Sequence, residues 1–187
     1  MKIESICIVG GGSSGWMAAA LLSKEHPNIE MCLIESNNIK PIGVGESTLA
    51  HFNRYLQRLG LEDKDWMPQC NATYKASIRF KNFREGKGES FQYPFGKFAP
   101  PDDDVADHLM RFFELQAMYG KGKYPPEEFA RFANKSTILA EKCRIADNIP
   151  GSKYDTMWDR AYHLDAEEAS FMMKDTTLDS LMIFVQS

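Results

Sequence analysis

The chain opens on a nearly continuous apolar run, Ile3 to Val9, and breaks it at once with three glycines, Gly10 to Gly12. Such a run predicts a strand buried on both faces of a parallel sheet. The following "SSGWMAAALLSKEH" offers serine as an N-cap, strong helix formers through Leu22 and a stop at Pro27, and so predicts a helix. "EMCLIE", Glu30 to Glu35, reads as a second strand, which completes a βαβ unit. "SNNIKPIGVGEST" sets Pro41, Gly43 and Gly45 in a polar frame and predicts a loop, after which Ser47 or Thr48 caps a helix that runs to Leu59 and ends at Gly60.

Alternation takes over from Tyr74 to Phe80, with Tyr74, Ala76, Ile78 and Phe80 on one face of a strand and Lys75, Ser77 and Arg79 on the other. Two β runs, Thr73 to Phe83 and Glu89 to Phe95, joined by "REGKGE", predict an antiparallel hairpin. Helical periodicity covers Val105 to Tyr119 and Glu127 to Cys143, and Asp165 is placed to cap a last helix, "AEEASFMMK". The terminal "LMIFV" reads either as one more buried strand or as an apolar end without partners. The fold class is α/β: a Rossmann-like βαβ unit with an inserted antiparallel hairpin and helices, incomplete because clear third and fourth parallel strands are missing. Residues 1–187 are read as a single domain, since this length supports one good core and no second one of comparable size.

A hydrophobic fraction of 43% and a net charge of −4 exclude a disordered chain and a strong field for nucleic acid. The N-terminal apolar run is too short to span a bilayer, which points to a cytoplasmic protein without membrane attachment. Cys7, Cys32, Cys70 and Cys143 are scattered without a CxxC pair, and Cys7 and Cys32 sit in apolar strands where buried reduced thiols are expected. The four histidines show no ligand spacing, so no metal site is expected. Met67, Met110, Met118, Met172 and Met173 are expected to fill the core.

The chemistry begins at Gly10-x-Gly12-x-x-Gly15, which follows a strand and opens a helix, with Glu35 about 20 residues on at the end of the next strand. Gly10 permits the sharp turn, Gly12 lets backbone N–H groups approach a pyrophosphate, Gly15 lets helix and strand pack closely, and the helix N-terminus adds its dipole. Glu35 would accept hydrogen bonds from ribose hydroxyls and would repel a 2′-phosphate, which favours FAD or NAD over NADP. Lys75 has two readings at this point: a cation on the solvated face of a strand, or a reactive amine. Arg79 shares its face and is expected to make a structural ion pair.

Together these motifs resemble the flavin-dependent tryptophan halogenases. The likeness rests on "GGGSSGWMAA" (10–19), "GVGEST" (43–48), "CNATYKASIRFKNF" (70–83), "AYHLDA" (161–166) and, more weakly, "YPFG" (93–96), and it covers about 1 to 170. It implies FAD on the glycine turn, held by Gly10, Gly12, Ser13, Ser14, Gly15 and Trp16 with its ribose near Glu35. Gly43, Val44, Gly45, Glu46 and Ser47 would form a strap over the flavin. It implies that a separate flavin reductase supplies reduced FAD, that O2 gives a flavin hydroperoxide, and that halide attacks this to give hypohalous acid, which travels through a tunnel to a lysine. The lysine of the family's motif falls on Lys75. Its ammonium would polarise hypohalous acid by hydrogen bonding, or its free amine would capture the halogen as a haloamine, a route that burial favours. Tyr93, Pro94 and Phe95 stand where tryptophan-specific members commonly carry His-Pro-Phe. Phe95 matches, whereas Tyr93 departs, which argues against free tryptophan and leaves another aromatic or indolic ring held between the two side chains. Members of the family extend well beyond this length, with a Trp-x-Trp-x-Ile-Pro motif and an assisting glutamate that are absent here, and the likeness fades after Lys174. The resemblance therefore implies the N-terminal portion of such an enzyme. A catalytically incomplete FAD-binding fragment and a flavin monooxygenase that does not use halide stay open as alternatives.

Overall fold

The computed structural model describes residues 2–39, 45–83, 86–96, 105–145, 159–177 and 182–186. In chain order its elements are β1 (Ser5–Val9), α1 (Ser13–Glu25), β2 (Glu30–Ser36), β3 (Gly45–Ser47), α2 (Phe52–Leu59), α3 (Asp63–Trp66), β4 (Thr73–Lys75), β5 (Ser77–Lys81) and β6 (Ser90–Pro94). There follow α4 (Val105–Tyr119), a 3-10 turn (Pro126–Glu128), α5 (Phe129–Ala133), α6 (Lys135–Glu141), β7 (Ala161–Asp165), α7 (Ala166–Asp175) and β8 (Met182–Gln186). They divide into two compact units: Met1–Ser47 with Arg54–Thr73 and His163–Ser187, and Thr48–Asn53 with Tyr74–Tyr162.

In the first unit β1 pairs in parallel with β2, Ser5 opposite Glu30 and Val9 opposite Ile34. On the other side of β2, β8 also runs parallel, so the sheet order is β1-β2-β8. This corrects the expectation of a missing third parallel strand: the terminal apolar run finds its partner in β2, whose register fixes it. Helix α1 packs on α7 and on the sheet, and Trp16, Ala19, Ala20, Met31, Leu33, Met172 and Met173 are buried there. The serine cap expected for α1 is not used. Gly12 occupies the N-cap position without a side-chain bond, and the Ser13 hydroxyl instead donates to the Ala166 carbonyl at 3.2 Å. Helix α1 stops at Glu25, ahead of Pro27, as expected. Asp165 caps α7 as expected, accepting from the N–H groups of Glu167 and Glu168 at 2.9 and 3.2 Å.

Burial of the sheet is one-sided. Met31 and Leu33 are covered, whereas Ser5, Cys7 and Val9 are exposed, Val9 by 80%. The apolar run of β1 was expected to be buried on both faces; α1 covers one, and among the described residues no element shields the other. Cys7 therefore lies exposed and Cys32 half-buried instead of in a core. Two further expectations shift here. Gly45–Ser47 is not loop but β3, paired antiparallel with β7 (Gly45 opposite Asp165, Ser47 opposite His163), so the next helix starts at Phe52 and not at Ser47 or Thr48. It ends as expected at Gly60, which takes φ +69°.

In the second unit β5 and β6 form the expected hairpin, Ser77 opposite Pro94 and Lys81 opposite Ser90. Phe80 stacks on Phe91 at 5.1 Å between ring centroids, with Phe83 edge-on to both. The single alternating strand expected over Tyr74 to Phe80 is interrupted at Ala76, whose carbonyl accepts the Phe95 N–H. The partner changes at that point, since β4 belongs to a sheet of order β3-β7-β4 and β5 to the hairpin. Helix α4 matches its expected bounds, and Phe112 is buried among Tyr124, Phe129 and Phe132. Met110 and Met118 on α4 are exposed, contrary to the core role expected of them, because the buried side of the helix is taken by Phe112 and Gln116. The long helix expected over Glu127 to Cys143 is divided at Asn134. This residue has extended backbone, and its side chain accepts the Ser136 N–H at 2.7 Å, so it serves as the N-cap of α6 and ends the helix before it. No helix among the described residues is long and apolar enough to cross a membrane.

Replacing Asn134 with Ala removes this cap from a buried position. We expect a loss of about 1–2 kcal/mol in urea unfolding followed by circular dichroism; an unchanged midpoint would show that the break in the helix has another cause.

Candidate functional site

The first unit carries a cleft of about 650 Å³ at the carboxyl ends of β1 and β2, the place where doubly wound sheets bind ligands. Its lining includes Gly10, Gly11, Gly12, Trp16, Glu35 and Lys174. Gly10 has φ +118° and donates its N–H to the Ile34 carbonyl at 2.8 Å, so the chain turns off β1 while still tied to β2. A Cβ on Gly15 would be driven into the Gly10 carbonyl oxygen, which accounts for the third glycine by packing alone. A Cβ on Gly10 or Gly12 would meet nothing within 4 Å. That open space lies beside the first turn of α1, where the N–H groups of Ser13, Ser14 and Gly15 have no acceptor within the helix. An anionic group such as a pyrophosphate fits that combination of room, donors and dipole.

Two residues of this cleft escaped the sequence reading. A Cβ on Gly11 would collide with the Glu35 carboxylate, so the middle glycine lets that acid fold against the turn. Lys174, on α7, donates to Glu35 Oε1 at 2.8 Å, and its Nζ lies 5.2 Å from the Trp16 ring centroid. The acid expected to face ribose hydroxyls is thus neutralised and oriented by a lysine from the far end of the chain. Spacing could not reveal it, because only the packing of α7 on α1 brings position 174 beside position 35.

The side chains of other expected cofactor residues are not part of this lining. The Ser13 hydroxyl is engaged with Ala166 and receives the Ser170 hydroxyl at 3.1 Å, Ser14 is exposed, and Gly45, Glu46 and Ser47 are exposed on β3 outside the cleft lining. Gly43 and Val44 lie outside the described residues.

In the second unit, residues from four stretches singled out in the sequence converge: Thr48, Lys75, Phe95 and Tyr162. The Lys75 ammonium donates to the Thr48 carbonyl at 3.1 Å and stands 5.5 Å from the centroid of the Phe95 ring. Thr48 is fixed in turn by Tyr162: its N–H donates to the Tyr162 carbonyl at 2.8 Å, and the Tyr162 N–H donates to its hydroxyl at 3.0 Å. The buried Tyr162 donates its hydroxyl to Asn53 Oδ1 at 2.8 Å, while the Asn53 amide donates to the carbonyls of Ala50 and Arg160. Lys75 is half-buried, and burial holds its pKa below the ordinary 10.5. Its side chain is therefore not on a fully solvated strand face. Phe95 and Pro94 are buried, Phe95 to 6% exposure, whereas Tyr93 is 51% exposed. Arg79 is exposed and donates to the Ser90 hydroxyl at 3.1 Å. Elsewhere burial pushes the Cys70 thiol up to about 11, which leaves it inert. Among the described residues, no group of three or more His, Cys, Asp or Glu is placed to hold a metal.

Comparisons with known proteins identify the family and the fold. The family model described as tryptophan halogenase matches residues 5–180. The chain is 38% identical to the tryptophan 6-halogenase SttH of Streptomyces toxytricini over 87% of its own length and 33% of the relative's. It is 30% identical to the tryptophan 7-halogenase RebH of Lentzea aerocolonigenes over 94% of this chain and 34% of that protein. Among solved structures, the VirX1 apo structure superposes with a TM-score of 0.85 at 48% identity, covering 100% of this chain and 36% of the other. The chain spans about a third of the length of the curated relatives it matches.

Two measurements test the geometry. Gly15→Ala is expected to lower stability by about 1–3 kcal/mol through overpacking, while Gly12→Ala, whose Cβ enters open space, loses only the N-cap preference for Gly over Ala, under about 1 kcal/mol; equal losses in both would refute this division of roles. In an NMR titration of 13C-methylated lysines, Lys75 should deprotonate below the others. The unfolded chain then binds the extra proton, so this residue makes stability rise with pH in the window below 10.5. A Lys75 signal titrating with the exposed lysines would overturn its burial.

Proposed function

The chain belongs to the tryptophan halogenase family, and we propose from this that it takes part in FAD-dependent halogenation of an aromatic or indolic ring, with Lys75 as the residue that holds the halogen. Its homologues are flavin-dependent enzymes of the oxidoreductase kind. The observation that carries the proposal is the half-buried Lys75 amine, tied to Thr48 and set against Phe95. FAD fits the cleft of the first unit: Gly10 and Gly12 leave space where side chains would stand, the start of α1 offers donors to the pyrophosphate, and Glu35 offers acceptors to the ribose. Reduced FAD, supplied by a separate reductase, would provide the electrons by which O2 oxidises halide to hypohalous acid.

The residues of this chain do the rest. Lys174 keeps the Glu35 carboxylate in place, and Trp16 forms a wall of the cleft. Lys75, as ammonium, donates a hydrogen bond to hypohalous acid and makes its halogen more electrophilic. As free amine, which its lowered pKa favours, it exchanges N–H for N–halogen and releases water. In both cases the Thr48 carbonyl limits where the electrophile sits, and position decides which ring carbon is attacked. Phe95, beside the amine, and Tyr93 and Pro94 with it, are the proposed substrate contacts. The face of the parallel sheet that no element covers among the described residues favours a second reading, in which this chain on its own binds FAD without turnover.

The test is incubation with FAD, a flavin reductase, NADH, bromide and a panel of indoles and phenols, read by mass spectrometry. The first reading predicts a product in which bromine replaces hydrogen, lost in Lys75→Ala while flavin binding persists. Bound, reduced flavin with no brominated product supports the second. Hydroxylated product, or NADH oxidation without the reductase, would replace both with a monooxygenase.

A further inference from the structure

Tyr162 lies in "AYHLDA", a stretch that carried the resemblance without a role for its own residues. It is 1% exposed and bears on Lys75 from two sides. Its backbone makes two hydrogen bonds with Thr48: its carbonyl accepts the Thr48 N–H at 2.8 Å, and its N–H donates to the Thr48 hydroxyl at 3.0 Å. The Thr48 carbonyl is in turn the acceptor of the Lys75 ammonium. The Tyr162 ring packs on Tyr74, the residue directly before Lys75, at 5.7 Å between centroids, with the Arg160 guanidinium 4.9 Å from the Tyr74 ring. The amine end and the backbone end of the lysine thus refer to the same residue. Asn53, 4% exposed, fixes the orientation of that tyrosine. Its amide oxygen accepts the Tyr162 hydroxyl at 2.8 Å, and its amide nitrogen donates to the carbonyls of Ala50 at 2.9 Å and Arg160 at 2.8 Å. Both donors and the acceptor are therefore in use, and a reversed amide would set its oxygen against two carbonyl oxygens.

We propose that Tyr162 is a positioning residue for halogen capture and that Asn53 is the lock that fixes it, the two together holding the Lys75 amine at one point beside Phe95. The inference rests on the reading of Lys75 as the residue that holds the halogen. A tyrosine needed only for bulk could be replaced by phenylalanine, because the ring contacts to Tyr74 and, at 6.2 Å, to Phe52 would survive. Here the hydroxyl closes a circuit. It runs from Tyr162 to Asn53, from Asn53 to Ala50 and Arg160, which stand two residues from Thr48 and from Tyr162, and returns through the paired hydrogen bonds between Thr48 and Tyr162. Removing the hydroxyl leaves the Asn53 oxygen buried without this donor, and the segment that carries the Thr48 carbonyl loosens. A misplacement of about 1 Å can cost about 100-fold in rate, so slack at Thr48 reaches the amine it holds. The covalent step stays with Lys75: its amine loses N–H, gains N–halogen and releases water from hypohalous acid, and neither Tyr162 nor Asn53 takes part in it.

The experiment compares the whole chain with Tyr162→Phe, Asn53→Ala and the double variant, each checked for folding by circular dichroism. Two readouts follow the amine itself: the pH titration of 13C-methylated lysines, and peptide mapping after a brief pulse of substoichiometric hypobromous acid. In Tyr162→Phe the Lys75 amine gains access to water, and because burial is what lowers its pKa, that pKa should rise toward 10.5. Its bromination relative to the exposed lysines should fall about tenfold. The double variant should fall no further than Asn53→Ala, since both single changes break the same hydrogen bond. Tyr119→Phe, which removes a hydroxyl from a half-exposed ring elsewhere in the unit, should match the parent. Should Asn53→Ala fail to fold, Tyr162→Phe decides by itself. A folded Tyr162→Phe chain whose Lys75 titrates and brominates as in the parent, whatever its thermal midpoint, would overturn the inference alone. A parent chain that shows no preference for Lys75 would overturn the reading of the lysine and the inference with it.

Discussion

The hydrogen bond from the Lys75 ammonium to the Thr48 carbonyl, 3.1 Å long, is the contact on which the functional account rests. A lysine side chain loses up to about 2 kcal/mol of rotamer freedom when fixed, and its charge resists removal from water. It is held here because the acceptor is itself immobile. Thr48 is bound twice by the backbone of Tyr162, and Tyr162 is locked through Asn53, whose amide spans two carbonyls. The result is an amine with a defined position, an adjoining aromatic ring and a depressed pKa. These are the properties required of a group that must hold an electrophile without sharing it with solvent.

The glycine turn illustrates a second constraint, in which the same residue type serves different ends. Gly15 is required by packing against the Gly10 carbonyl, Gly11 by the Glu35 carboxylate, and Gly10 by a backbone angle that side chains rarely adopt. Gly12 meets no such requirement, and the room beside it is what a ligand would use. Lys174 adds charge balance, so the cleft is not simply acidic beside Glu35.

Much of this was legible in the sequence because local pattern governed it. The β1, α1, β2 order, the hairpin, helix α4 and the Asp165 cap follow from periodicity and short-range hydrogen bonding, and the family resemblance followed from residues such as Trp16 and the "NATYKA" stretch. What escaped depended on distant partners. The strand through Tyr74 to Phe80 is broken at Ala76 because its two halves pair with different strands, and alternation carries no record of that change. Asn134 looked like one polar position in a helical run until its side chain was seen to cap the next helix. The ion pair of Glu35 and Lys174 joins residues that only the docking of α7 on α1 brings together.

The central claim is that the Lys75 amine captures halogen in preference to other amines. Brief exposure of the native chain to substoichiometric hypobromous acid near pH 8, quenching and peptide mass spectrometry would measure it directly. The account predicts bromine on the Lys75 nitrogen before the exposed lysines react, and loss of that preference in urea. Bromination of Lys75 no faster than that of exposed residues such as Lys64 would contradict it.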